Sequence, residues 1–173
     1  MHQVYINIVI SAILEQFDSE NHFYTEQLGI SEFEWLNWKE GKVNLSSDNL
    51  QKIKGLFSDY EWMLLQKILR QSVLFPEKRN VAVNEYKRLK VAIAQKWLEN
   101  KLATVDLIAP TKEDEEKRVP YIHLRVAVNY GEWGFDDIIS FRLPAAVQQQ
   151  IEGSEVPLLD WANENLLDTY IKE

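Results

Sequence analysis

Residues 23–31 of the chain, Phe-Tyr-Thr-Glu-Gln-Leu-Gly-Ile-Ser, decide the fold of its first half. A short helix is expected to end at Gly29, because glycine adopts a left-handed backbone without steric cost and commonly terminates helices. Ser31 then begins a second helix. Glu34, three residues later, completes a capping box, in which each side chain accepts a hydrogen bond from the other residue's backbone N–H. Two short helices joined by so tight a turn cross steeply.

Further helices are expected on both sides of this turn. Apolar side chains recur at helical spacing from Val4 to Phe17, and a second capping box begins at Ser58. The pattern predicts five helices within residues 1–75, which we expect to form one all-helical domain. The proline and the charges of Phe75–Asn80 mark the expected linker to a second domain, residues 76–173.

The second domain changes from helical to alternating patterns. A long helix is expected at Val81–Ala103 and a short strand at Val105–Ala109. Residues 119–130 and 135–143 alternate apolar and polar side chains around a turn, which predicts an antiparallel hairpin. With two C-terminal helices, at 144–152 and 157–171, the chain is predicted to be α+β: a five-helix bundle followed by an antiparallel sheet of about three strands with flanking helices.

Three finer expectations concern this second domain. The long helix has an apolar stripe that leaves Lys90 off its buried face. Pro144 is expected at the first position of a helix, where its missing N–H has no effect. Phe135 is expected to share one strand face with Ile139. The predicted helical stripe is Tyr86, Leu89, Ile93 and Trp97.

The composition is that of a globular protein and excludes several classes of site. The chain has 173 residues, 46% of them apolar, and no cysteine, so disulfides and thiolate metal sites are excluded and a cytoplasmic location is expected. The apolar start, residues 1–17, lacks a basic leader and is interrupted by polar residues. We therefore expect a buried helix there, with no signal peptide or membrane span.

The motif around Gly29 resembles the helix-turn-helix of phage-repressor-like (Cro/repressor-type, XRE-like) domains. The similarity covers about residues 4–73 and includes a capped downstream helix with apolar Leu50, Ile53 and Phe57. Thr25 departs from the usual alanine. The second domain resembles no family that we can name. The positions that match the family pattern are Tyr24, Thr25, Leu28, Gly29, Ile30, Trp35, Trp38 and Gly41.

This resemblance implies a set of functional positions. The structural core of the motif would be Leu28, Gly29, Ile30, Trp35 and Trp38. Residues at the start of the second helix would face base edges in a major groove. Those that would contact double-stranded DNA are Ser31, Glu32, Phe33 and Asn37, with Lys39, Lys42, Lys52 and Lys54 near the sugar-phosphate backbone. An Asn37 amide can bond adenine bidentately.

The net charge of the chain argues against DNA binding. The net charge is −8, and residues 1–75 hold six lysines and arginines against ten acidic residues. DNA binders usually present a basic surface, because neutralising phosphates supplies most non-specific affinity. Two hypotheses therefore stay open. One is a DNA-binding transcriptional regulator with a ligand-sensing or dimerising second domain. The other is a helix-turn-helix fold reused for protein contact at Phe33 and Leu36.

The second domain has no catalytic or cofactor signature. No phosphate loop, dinucleotide turn or zinc-protease helix occurs, and the three histidines are scattered. We expect no enzyme activity, no cofactor and no metal. A DNA role would predict a homodimer, because such domains read two half-sites. The long helix and Trp133, at the expected hairpin tip, are candidate contacts.

Overall fold

The computed structural model describes residues 2–108, 121–153 and 157–171. The chain forms two compact units, Met1–Tyr86 and Lys87–Glu173. Their boundary lies inside a helix, whereas the sequence placed it at the linker before that helix. The predicted α+β class is confirmed, with helices first and a three-stranded antiparallel sheet after them. Within the described residues, no helix has both the length and the apolar character needed to cross a membrane.

The first unit consists of short helices with serine caps. Its elements are α1 (His2–Gln16), α2 (Glu20–His22), a π-helical segment (Phe23–Leu28), α3 (Glu32–Lys39), α4 (Ser47–Lys54), α5 (Asp59–Leu74) and a 3-10 helix (Pro76–Val81) that leads into α6 (Ala82–Glu99). The capping boxes predicted at Ser31 and Ser58 are both present. The expected linker is therefore mostly a turn of 3-10 helix.

The helix before Gly29 differs from the expectation in kind. Only its first turn is α-helical, and the remainder is a π-helix. Gly29 follows with φ of +65°, the left-handed conformation that the sequence predicted. The backbone N–H groups of Gly29 and Ile30 both donate to the carbonyl oxygen of Tyr24. These two hydrogen bonds close the wide turn, so the chain reaches Ser31 in position to begin α3.

Aromatic rings hold the first unit together. Trp35 lies between the rings of Tyr24 and Trp38, with centroid distances of 5.8 and 4.8 Å. Tyr5 of α1 contacts both Trp38 and Trp62 edge-on, at 6.3 and 6.4 Å. Aromatic pairs of this geometry add stability beyond their buried area. The orientation of α3 is thus fixed by contacts to α1 and to the π-helical segment.

The second unit is an antiparallel meander covered on one face by helices. Its strands are β1 (Thr104–Ile108), β2 (Tyr121–Asn129) and β3 (Asp136–Pro144), in that spatial order. Helices α7 (Ala146–Glu152) and α8 (Leu158–Tyr170) follow, and α8 contacts both edge strands. The buried face of β2 and β3 comprises Ile122, Leu124, Val126, Ile139, Phe141 and Leu143. The alternation predicted these positions and also Val128, which is only half-buried.

Several finer expectations for this unit are wrong. Pro144 ends β3, opposite Tyr121, and α7 begins two residues later. Phe135 precedes β3 and is exposed. On α6 the buried positions include Lys90 and Val91, while Leu89, Ile93 and Trp97 are only half-buried. The expected strand end at residue 109 and the start of the next expected strand, residues 119 and 120, lie outside the described residues.

Lys90 can be buried because hydrogen-bond acceptors and aromatic rings of the second unit replace water around its ammonium group. Its Nζ donates to the carbonyl oxygen of Ser140 at 2.7 Å and to the hydroxyl of Tyr170 at 3.3 Å. It also lies 5.2 Å from the ring centre of Phe141 and 5.3 Å from that of Tyr170. A hydropathy pattern counts lysine as polar, and these cation–π contacts form only once α6, β3 and α8 have packed together.

Candidate interaction surface on helix α3

Helix α3 is fixed at its start by the capping box. The Glu34 carboxylate accepts hydrogen bonds from the backbone N–H and the hydroxyl of Ser31, both at 2.9 Å. These bonds hold the pKa of Glu34 below its usual value. The Ser31 hydroxyl oxygen in turn accepts from the Glu34 backbone N–H at 3.3 Å. Both side chains therefore make the hydrogen bonds that begin the helix, although each is exposed to solvent.

The inner face of α3 is anchored through Trp35. Its ring is buried, and the indole N–H donates to the carboxylate of Glu20 at 2.7 Å. The same carboxylate oxygen accepts from Lys39 at 2.8 Å. One carboxylate therefore ties two residues of α3 to the start of α2. Of the motif's expected core, Leu28, Trp35 and Trp38 are buried, while Ile30 is only half-buried.

The outer face of α3 presents large apolar side chains. Phe33 is 76% exposed and Leu36 is 46% exposed. They lie three residues apart and so share one side of the helix. Glu32 and Glu40 are exposed beside them, and Asn37 is half-buried. We call this set, Phe33 and Leu36 with Glu32 and Glu40, the Phe33/Leu36 surface.

All four lysines assigned to phosphate contact are engaged within the chain. Lys39 pairs with Glu20, and Lys42 pairs with Glu40. Lys52 donates to the carbonyl oxygen of Gln27 at 2.8 Å. Lys54 lies 5.9 Å from the ring centre of Trp62. An exposed ion pair such as that between Lys42 and Glu40 contributes about 0–1 kcal/mol. Two of the four positive charges, those of Lys39 and Lys42, are therefore offset by a carboxylate within the chain.

Charge around the turn is acidic rather than basic. Residues 20–54 contain six carboxylates and four lysines, with no arginine. In the first turn of α3, Glu32 and Glu34 lie where groups would approach a base edge, and carboxylates there repel phosphates. The favourable field of a helix N-terminus attracts anions, yet this one is already satisfied by its own Glu34. The surface is therefore apolar and acidic.

The neighbouring helix α4 exposes one of its apolar residues. Leu50, which the resemblance to phage-repressor-like domains included among the apolar positions of this helix, is exposed, while Asn49 is buried. Val43, which the sequence reasoning did not consider, is also exposed. The serine cap at Ser46 fixes where α4 begins, but the apolar spacing of so short a helix does not fix its rotation.

No family model matches this chain, and no similar protein was found among curated proteins or solved structures. The similarity to phage-repressor-like domains therefore rests on the motif residues and stays a prediction. Among the described residues, no group of three or more histidine, aspartate or glutamate side chains is placed to hold a metal ion. The exposed side of α3 is the strongest candidate functional surface of the first unit.

Proposed function

We propose that the first unit is a protein-docking module of a regulatory protein, and that it binds its partner through the Phe33/Leu36 surface. The observation that carries this proposal is Phe33, which is 76% exposed on the helix that would otherwise read bases. Carboxylates lie beside it, and the nearby lysines have partners within the chain. An exposed aromatic beside a second apolar residue is typical of protein-contact surfaces.

The energetics favour such a role. Phe33 is held on a helix with a capped start and a buried inner face. A partner that covers it gains apolar burial of about 25 cal/mol per Å² without ordering a loop. Aromatic anchors on rigid elements commonly dominate the binding energy of an interface. The acidic residues favour a partner whose contacting surface is basic at its rim.

DNA binding is the second candidate function, and the turn geometry favours it. The left-handed Gly29, the capped start of α3 and the buried Trp35 and Trp38 support this candidate, because the resemblance to repressor-like domains implies that such a turn lets the second helix enter a major groove. The lysine pairs are weak enough for phosphates to replace their partners. Under this reading Asn37 contacts a base, and the second unit dimerises or senses a ligand.

Fluorescence anisotropy with random duplex DNA at low salt separates the two candidates, because electrostatic affinity is greatest there. The docking proposal predicts no duplex binding by the full chain. Binding that weakens when Lys39, Lys42, Lys52 and Lys54 are all changed to alanine would favour the DNA function instead.

A matched capture experiment then tests docking directly. The full chain, the double variant Phe33→Ala/Leu36→Ala and the control Met63→Ala serve as baits in the source cell. Met63 is 58% exposed on α5 of the same unit and outside the Phe33/Leu36 surface. A partner that the wild type and Met63→Ala retain but the double variant loses is the expected result. Equal capture by all three baits contradicts the proposal.

A further inference from the structure

Three aromatic side chains are exposed at the tip of the β2–β3 hairpin. Tyr130, Trp133 and Phe135 are 44%, 80% and 55% exposed, and Trp133 is the most exposed large hydrophobic side chain of the described residues. The rings of Tyr130 and Phe135 contact each other, with centroids 5.2 Å apart. Trp133 belongs to a short 3-10 turn, Gly131–Trp133, that connects the strands.

Hydrogen bonds brace this tip from within. The Asn129 side-chain amide donates to Asp136 at 2.5 Å, and its oxygen accepts from the Gly131 backbone N–H at 2.7 Å. The Tyr130 hydroxyl donates to Asp137 at 2.6 Å. Gly131 and Gly134 both have positive φ, at +63° and +67°. The tip is therefore pre-organised, and binding there orders few additional groups.

The turn itself does not require a tryptophan. Its bracing uses the side chains of Asn129, Tyr130, Asp136 and Asp137 and the backbone of the glycines. The Trp133 ring takes part in none of these contacts. A large apolar ring held in water by a braced loop gains free energy when a partner covers it, and tryptophan is among the commonest residues to dominate an interface.

Charge at the tip identifies the chemistry of the partner. Residues 126–141 contain Glu132, Asp136 and Asp137 and no lysine, arginine or histidine. Arg125, in the middle of β2, lies 3.8 Å from Asp136. Carboxylates beside an exposed ring repel phosphate groups and anionic lipid headgroups. They attract ammonium and guanidinium groups, which also bind the face of an indole.

We propose that the hairpin tip, residues 130–137, docks a basic protein segment in which a lysine or arginine lies beside an apolar side chain. Trp133 is the anchor residue, and Glu132 lies next to it in the sequence. Tyr130 and Phe135 provide further apolar contact area. This site lies in the second unit and does not depend on the function proposed for the first.

Fluorine NMR of the full chain labelled with 5-fluorotryptophan tests the proposal. The chain has six tryptophans, and the Trp133 resonance is the one absent from Trp133→Phe. The probes are a peptide of alternating arginine and leucine, the same peptide with glutamate in place of arginine, and vesicles of phosphatidylcholine with or without phosphatidylserine. The expected result is a shift of the Trp133 resonance with the arginine peptide alone.

Calorimetric titration of the arginine peptide supplies the second measurement. Trp133→Ala is expected to weaken binding by at least about tenfold, as removal of an anchor residue does. Glu132→Gln is expected to weaken it less, and the matched exposed control Met63→Ala to leave it unchanged. A Trp133 shift caused by the vesicles or by the glutamate peptide overturns the proposal, and so does equal affinity of Trp133→Ala and Met63→Ala.

Discussion

Phe33 and Trp133 are exposed to a similar extent, 76% and 80%, but the molecule holds them by different means. Phe33 lies on α3, whose inner face carries the buried Trp35 and Trp38. Trp133 lies on a hairpin tip whose geometry comes from local hydrogen bonds. The position of Phe33 therefore depends on the core of its unit, while that of Trp133 can be loosened without unfolding.

The largest expected effect is at Trp35. Changing Trp35 to alanine removes a buried ring and its indole hydrogen bond to Glu20, and we expect a loss of about 3–5 kcal/mol in the free energy of unfolding of the first unit. Trp133→Ala, which removes an equal ring from the surface, should change stability by less than about 0.5 kcal/mol. Chemical denaturation followed by circular dichroism measures both. Equal losses of unfolding free energy in Trp35→Ala and Trp133→Ala would contradict this difference between a buried and an exposed tryptophan.

The next effect concerns two left-handed glycines, one in each unit. Gly29 and Gly134 have φ of +65° and +67°, and an added Cβ would meet no atom within 4 Å at either position. Alanine at each should therefore destabilise by about 1–2 kcal/mol through the backbone alone. Asparagine, which tolerates this conformation better, should cost less. A much larger loss for Gly29→Ala in thermal unfolding would indicate a constraint beyond the backbone at the turn.

Loosening the hairpin tip should have a local effect. Asn129→Ala removes the hydrogen bonds to Asp136 and Gly131 and should cost about 1 kcal/mol. Hydrogen exchange of the tip amides should accelerate while that of β2 residues 122–126 stays slow. Ser31→Ala, a cap removal of similar cost, should instead accelerate exchange in the first turn of α3. Unchanged exchange at the tip in Asn129→Ala would show that other contacts brace it.

The smallest effect is a pH dependence from the capping box. Hydrogen bonds from Ser31 lower the pKa of Glu34 in the folded state. The stabilisation is therefore complete above the unfolded-state pKa of this carboxyl and is lost as pH falls through the lowered folded value. Glu34→Gln should be less stable than the wild type at neutral pH and converge with it in acid. Thermal unfolding across pH measures this, and a Glu34→Gln variant that stays less stable than the wild type in acid would contradict it.

The features that sequence reasoning predicted correctly are local in origin. The capping boxes at Ser31 and Ser58 follow from residues three apart, and the left-handed backbone at Gly29 follows from glycine itself. The buried face of β2 and β3 follows from alternation along each strand. Each of these depends on neighbours within a few residues, so the sequence carries the information directly.

The features that could not be predicted from the sequence depend on contacts between distant residues. Lys90 is buried because α6, β3 and α8 bring hydrogen-bond acceptors and aromatic rings around its ammonium group. The π-helical segment at Phe23–Leu28 has no sequence signal that we recognise. The candidate surface on α3 was only partly foreseen. Exposure of Phe33 and Leu36 follows from their spacing against Trp35 and Trp38, but the pairing of Lys39 with Glu20 joins residues nineteen positions apart.

The sequence by itself determined the two capping boxes, the left-handed turn at Gly29, which strand faces are apolar, and that the region around the turn is acidic. Only the tertiary structure decided that Lys90 is a core residue, that the four lysines near the turn have partners within the chain, and that a braced tip holds Trp133 in solvent. The physical reason is the separation along the chain of the residues that interact. Caps, turns and alternation act between near neighbours, whereas burial and charge pairing depend on which distant side chains the packed fold brings together.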